Sequence, residues 1–492
     1  MKISKFITRK LASYAAVACT AFAFASCSSD VVDPVGPDDD GVVVLQGDIT
    51  TRTLTADQKY LLRGQVFVRA NQTLTIEPGT VIMGEKSTKG TLVIDRDAKI
   101  MSEGTRERPI IMTSNQAPGD RDRGDWGGLV LLGRARVNLD NPAVEGITPA
   151  VNYGGTDDNN NTGILTFLRV EFAGIELTPN NETNGITLGG VGRGTKFENI
   201  QVSYGGDDGI EWFGGSVNGK NLIVFATWDD CFDIDNGFSG KLQFGLGIRY
   251  PSYADQSESN GFEWDTDGDN NLSRFKTSTV ATNFTIIGPA IDGNSINANF
   301  RHAVDLRRNV AGSIFNSVFV GYPTALRMNH LSAYNNYAGT NPDGVIQNNI
   351  FFARAAATAA GSNLTGEGAN LTGITAANVL QYLQANGNTI EAGASAQTSE
   401  AYTRVGINPN LVFGRRVRTE YAINPNFAVT SGLITTKGAK FDHAKFNEAE
   451  ARSAVAGGDN WKFDRAVTFV GAFGATDWTQ GWTNFNPVAH VY

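Results

Sequence analysis

Between Thr73 and Gly104 apolar and polar residues alternate, turn, and alternate again. TLTIEPGTVIMG is followed eighteen residues later by TLVIDRDAKIMSEG. Alternation of period two, broken by glycine, is the signal of short half-buried strands. A second series is longer: FENIQVSYGG, GKNLIVFATW, SGKLQFGLGI, ATNFTIIGPA, IFNSVFVGYP and IQNNIFFARA align without gaps. Asparagine recurs in it at Asn199, Asn221, Asn283, Asn316 and Asn349, with Lys241 in the third copy. The successive spacings are 22, 20, 42, 33 and 33 residues.

Strand-sized self-similarity near twenty residues, with abundant glycine, predicts an all-β fold: a right-handed parallel β-helix with inserted loops. Each coil pairs its backbone with the next, and like side chains stack inward, here Ile200, Leu222, Leu242, Phe284 and Ile350. Asparagine at a recurring turn bonds the backbone and tolerates left-handed geometry, so the asparagine series reads as structural. A sandwich or propeller would need hairpin turns or blade-length repeats, and the chain shows neither series.

Residues 356–400 break the pattern. Ile374–Gly387 has helical apolar spacing at Val379, Leu380 and Leu383 and stops at glycine. The tail WTQGWTNFNP reads as a cap over the apolar end of the solenoid. The chain thus divides into a signal (1–26), a flexible acidic tether (27–45), the β-helix (46–355), a loop and helix insertion (356–400), and terminal coils with a cap (401–492).

The signal is read from Lys2, Lys5, Arg9 and Lys10 ahead of an apolar run, Leu11 to Ala25, too short to span a bilayer. FASCSSD after it resembles a lipobox, which implies cleavage before Cys27 and acylation of that residue. Removing residues 1–26 takes four positive charges and no negative ones, so the formal charge falls from −9 to −13. An acidic chain argues against nucleic acid, whose phosphates are met by Lys and Arg. Cys19 leaves with the signal and Cys27 is lipidated, so Cys231 has no partner for a disulfide. The membrane is then met only through the lipid, at the outer membrane and facing the cell exterior.

WGGLVLLG (Trp126–Gly133), GGDDGIEWFGG with its echo DDCFDIDNG, NGFEWD (Asn260–Asp265) and the closing VGAFG and WTQGWTNFNP together resemble a family of Bacteroidota right-handed parallel β-helix outer-membrane lipoproteins. The resemblance covers most of residues 60–487. It implies fold and location, and the family has no settled activity.

The echo carries the chemistry. Asp207 and Asp208 recur as Asp229 and Asp230, and Glu211 as Asp233, twenty-two residues on. Stacked coils would put each pair about 4.8 Å apart, where like charges repel. Three arrangements answer that repulsion. Ca2+ could be held by Asp207, Asp229, Asp233 and Asp265, oxygen ligands of the kind it takes. Paired carboxylates could serve a glycoside hydrolase or polysaccharide lyase, with Asp207, Asp208, Asp229 and Asp230 beside His302. Aspartate in glycine-rich turns could instead bond backbone N–H groups. Trp212 and Trp228 are the candidate stacking surface for sugar rings. No histidine has metal-ligand spacing to another, and no nucleophile elbow, phosphate loop or dinucleotide fingerprint is present. The expected function is binding of an extended glycan or an envelope protein, with a polysaccharide-degrading enzyme and a purely structural envelope component as alternatives.

Overall fold

The computed structural model describes residues 41–178, 181–359, 373–413, 420–453 and 461–492. The signal, Cys27 and most of the expected tether lie outside them. Twenty-four strands join in one continuous parallel array, and the fold is a right-handed parallel β-helix. Among the described residues, one small antiparallel pair, Glu176–Thr178 with Asn181–Glu182, stands apart from it.

The coil has three faces. The first runs through Thr73–Ile76, Lys99–Glu103, the start of Gly163–Glu171 and the first halves of Lys196–Ser203 and Asn218–Phe225. The second halves of those long strands form the second face. The third runs Leu129–Leu132, Ile186–Gly189, Ile210–Phe213, Phe232–Asp235, Phe262–Trp264 and His302–Leu306.

The bend between the first two faces is a column of left-handed residues: Phe167, Asn199, Asn221, Phe244, Asn283, Asn316 and Asn348 all have positive φ. Asparagine adopts that geometry more readily than most residues. Asn221 Nδ2 donates to Asn199 Oδ1 at 2.9 Å, and Asn348 Nδ2 to Asn316 Oδ1 at 2.8 Å. The aligned repeats therefore found this column but slipped at two copies. The partner of Asn221 is Phe244, not Lys241, and the last member is Asn348, not Asn349.

Side chains facing the coil axis form one apolar core, from Leu45 and Leu62 through Ile200, Leu222 and Phe284 to Phe351. The helix Ala376–Ala385 closes its far end, with Val379 and Leu383 in the same core. Two expected boundaries move. Val42–Ile49 is already a strand, paired with Lys59–Val68, so the tether does not extend to residue 45. Thr389–Ala392, inside the expected insertion, pairs with Ile350–Ala353 as a further coil.

The tail is not an end cap. Trp482 meets Phe167 edge-on, Phe485 meets Phe225, and Gln201 exchanges two hydrogen bonds with the Asn484 backbone. It lies along the outside of the second face. That face is consequently apolar on both sides, with Tyr204, Phe225, Ile248 and Val320 facing outward under the tail. This explains why its strands read as unbroken apolar runs instead of alternating. No helix among the described residues is long and apolar enough to cross a membrane.

Candidate functional site

The acidic repeat sits where the second face turns into the third. Tyr204 and Ala226 open this turn on successive coils in the left-handed conformation. At Gly206 a Cβ would stand 2.4 Å from the Gly174 carbonyl oxygen, so only glycine lets the turns approach so closely. Asp229 N–H donates to Asp207 O at 3.3 Å, and Glu211 and Asp233 are register partners on the adjoining strands. The two acidic clusters are neighbours, one coil apart.

The members divide by direction. Asp208 is 7 % exposed and Asp230 4 %. Asp208 Oδ1 accepts the N–H of Asp230 at 2.8 Å, Asp230 Oδ1 accepts that of Asn260, and Asn260 Oδ1 accepts that of His302 at 3.1 Å. This column spends its carboxylates on backbone groups. Asp207, Glu211, Asp229 and Asp233 are half-buried and face outward. One carboxylate oxygen each from Asp207, Asp208 and Asp229 lies within 4.8 Å of the others, and the same holds for Asp208, Glu211 and Asp233.

Burial, reinforced by neighbouring carboxylates, holds these groups toward their protonated forms. Asp207 is pushed up to about 8, with Glu182 and Asp255 adding to the effect. Asp208, Glu211, Asp229 and Asp233 are all raised well above the ordinary carboxylate range, by burial first. Asp230 rises less, to about 6, because the Asn260 N–H and Arg249 offset its burial.

Farther along the third face the acids are compensated. Arg307 pairs with Glu263, Arg308 with Asp265 at 2.7 Å, and Arg327 with both Asp305 at 2.6 Å and Glu258 at 2.7 Å. Asp265 is thus an ion-pair partner of Arg308 and joins neither carboxylate trio, which removes it from the expected metal set. Asp208 and Glu211 take places in the trios that the expected set did not include. His302 is two coils beyond Asp230 on the same column. It is 6 % exposed, burial pushes its imidazole down to about 3, and its Nε2 lies 3.9 Å from Glu258. The fold does not bring it to Asp207 and Asp229.

Two grooves meet at the cluster, sharing Glu182 and Asp207. One, about 530 Å³, is lined by Glu176, Asp229, Asp255 and Trp228 among others. The other, about 560 Å³, is lined by Glu145, Tyr153, Asn184, Glu211 and Phe213 among others. Trp228 borders the first, with one ring face covered by the Arg123 guanidinium, 3.5 Å from its centroid. Trp212 is 0 % exposed, packed inside the coil against Phe232 and Phe238, and cannot meet a sugar. Strand alternation turns its neighbour Phe213 outward into the second groove. The period-two rule applied from Ile210 would have selected Phe213; Tyr153, from a distant loop, left no signal.

The fold and the groove define a parallel β-helix with an acidic site on its outer surface. A family model described as a pectate-lyase like beta helix domain matches residues 47–403, and the chain belongs to that family. A solved structure entitled "Crystal structure of Dettilon tailspike protein (gp208)" is similar at 12 % identity and a TM-score of 0.24, over 65 % of this chain. The match spans 62 % of that protein, less than two thirds of its length. No curated protein matches the chain.

Proposed function

We propose that the protein binds an extended carbohydrate across the two grooves that meet at Asp207, from a lipid anchor at Cys27 that holds it on the outer face of the outer membrane. One observation carries the binding reading: Asp207, Glu211, Asp229 and Asp233 gather near the outward ring of Phe213, which the buried Tyr153 backs at 6.0 Å between centroids, with no ion pair formed by any of the four among the described residues. A structural ladder would place cations there, as the later coils do with Arg307, Arg308 and Arg327. Desolvated carboxylates with no cation paired to them, in a cleft, point to a functional site. A glycan array probed with the purified chain tests this. Binding abolished by Phe213→Ala and Asp207→Asn supports it, and an array without a bound saccharide removes it.

The donor set also suits Ca2+. Asp207, Asp208 and Asp229 would hold it, and the ion would neutralise the charges that burial disfavours.

A second reading is polysaccharide cleavage. Its support is geometric: one carboxyl oxygen of Asp207 lies within 4.8 Å of one of Asp229, at the floor of a groove. Glycoside hydrolysis uses two carboxyl groups, about 5–5.5 Å apart for retention and about 6.5–9.5 Å for inversion. Release of reducing ends or unsaturated products from a bound glycan, lost in Asp207→Asn and Asp229→Asn, would establish it. Binding without products leaves the binding function alone.

A further inference from the structure

One backbone outlier stands beside the first groove. Among the described residues, the other non-glycine residues of positive φ fall between 48° and 67°, and Glu258 stands at 99°. Such a conformation strains a long side chain and persists only where its surroundings hold it. The span around it has no main-chain support. Gln256, Ser257 and Glu258 take part in no backbone-to-backbone hydrogen bond among the described residues. The ties are at the ends: Asp255 N–H donates to Trp228 O at 3.2 Å, and Ser259 N–H to Asn299 O at 3.0 Å.

Between those ties only side chains hold the span, and they pull in opposite directions. Toward the groove, Ser257 Oγ lies 2.9 Å from Asp229 Oδ2 and 2.7 Å from Asp255 Oδ2, so its one proton bridges the two acids. Ser259 Oγ lies 3.4 Å from Asp229 Oδ1. Away from the groove, Glu258 pairs with Arg327 at 2.7 Å and with Arg301 at 3.6 Å. Arg327 is a fixed anchor, because Asp305, 0 % exposed, takes its guanidinium through both oxygens at 2.8 and 2.6 Å.

We infer that Glu258 is the positioning residue of the first groove: its ion pair with Arg327 holds the strained span in place, and the span aims the Asp229 carboxylate through Ser257 and Ser259. Asp255, Gln256 and Ser257 line that groove, with Asp229 among them. A partly exposed ion pair adds little stability by itself. Here it opposes a backbone that relaxes once released, so its loss is read in the direction of a carboxylate instead of in the melting temperature. The consequence for ligands rests on the binding reading above; the hold on Asp229 does not.

Glu258→Ala and Glu258→Gln test this against the wild-type chain. Glutamine keeps the length and an acceptor oxygen for Arg327, and alanine keeps neither. Crystal structures and hydrogen exchange read the hold with no ligand present. In the alanine variant Ser257 Oγ should leave hydrogen-bond distance of Asp229. The Ser257 amide, which donates to Asp255 Oδ2 at 2.7 Å, should exchange faster at an unchanged melting temperature. Terbium titrated against Trp228-sensitised emission should bind about tenfold more weakly to the alanine variant, as when a hydrogen-bond partner of a metal ligand is removed, and recover in the glutamine variant. Equal displacement of Ser257 in both variants also supports the positioning role and assigns the hold to the charge. A span and an Asp229 carboxylate unmoved in Glu258→Ala overturn the inference. So does a displaced Ser257 with terbium affinity unchanged, because Asp229 would then need no aiming. If the wild-type chain binds no terbium, the calcium reading falls by itself, and the position of Ser257 in Glu258→Ala still decides for or against the role of Glu258.

Discussion

Asp208 Oδ1 accepts the backbone N–H of Asp230 at 2.8 Å, twenty-two residues and one coil later. The bond recurs from Asp230 to Asn260 and from Asn260 to His302. Only an oxygen at that position is needed; a charge is not. Asp208→Asn should therefore match or exceed the wild-type melting temperature at neutral pH. Asp208→Ala orphans a buried N–H and should cost about 1–3 kcal/mol. Equal destabilisation by both variants would show that the charge itself is required.

Stability should fall as pH rises. Asp207 and Asp230 are raised from 3.8 to about 8 and about 6, so the folded chain holds these protons more tightly than the unfolded one. Their contribution is complete below about pH 4 and is lost as pH climbs through 6 and then 8. Asp97, Asp158 and Asp255 are lowered. They stabilise above the ordinary carboxylate range and lose that contribution only in stronger acid. Thermal melts in EGTA should decline between pH 5 and 8, and Asp207→Asn should flatten the upper part. A melting temperature that rises across that interval would contradict the reading.

Calcium should reverse that decline. A site for which the ion replaces the bound protons gains about 2.7 kcal/mol at a hundredfold excess over Kd, and gains most where the carboxylates would otherwise ionise. Terbium in place of calcium should show emission sensitised through Trp228, which lines the same groove as Asp207 and Asp229. Combining Asp207→Asn with Asp229→Asn should remove both effects. Stabilisation that persists in the double variant would move the ion elsewhere.

What the sequence revealed follows from how contacts are encoded. Asp207 over Asp229 was legible because one uninterrupted coil separates them, so equal spacing means equal position. Insertions after Phe225 broke that equivalence, and the register slipped to Lys241 where Phe244 belongs. Outward and inward faces were legible in Ile210–Phe213, but composition drew attention to Trp212 over Phe213. Asn184 and Tyr153 join Glu211 from other turns of the chain. No local pattern announces such a meeting.

The pair Trp212 and Phe213 separates stability from binding. Trp212 is packed against Phe232 at 6.5 Å and Phe238 at 5.6 Å between ring centroids. Trp212→Ala should cost about 3–5 kcal/mol, as large core truncations do. Phe213→Ala should change stability little and weaken glycan affinity, read as a dissociation constant on a melt-matched sample. If Phe213→Ala unfolds the chain while Trp212→Ala does not, the assignment of inner and outer faces is reversed.

The tail on the second face makes the last prediction. Gln201 donates to Asn484 O at 2.8 Å and accepts Asn484 N–H at 3.0 Å, while Gln243 donates to Asp464 O at 3.0 Å and accepts its N–H at 2.7 Å. Neither amide has slack, since each bonds the tail through both ends of its head group. Under the tail lie Tyr204, Phe225, Phe413 and Phe427, which would form a large exposed apolar patch without it. Gln201→Ala should leave a buried N–H and carbonyl unpaired and loosen the tail before the coil melts. Hydrogen exchange should therefore quicken at residues 469–488 while strands on the first and third faces stay protected. Trp482→Ala removes the ring against Phe167 and should add binding of a hydrophobic dye at temperatures below global unfolding. Tail and coil exchanging together in both variants would mean that the tail is an inseparable part of the cooperative fold, not a strap laid over a finished solenoid.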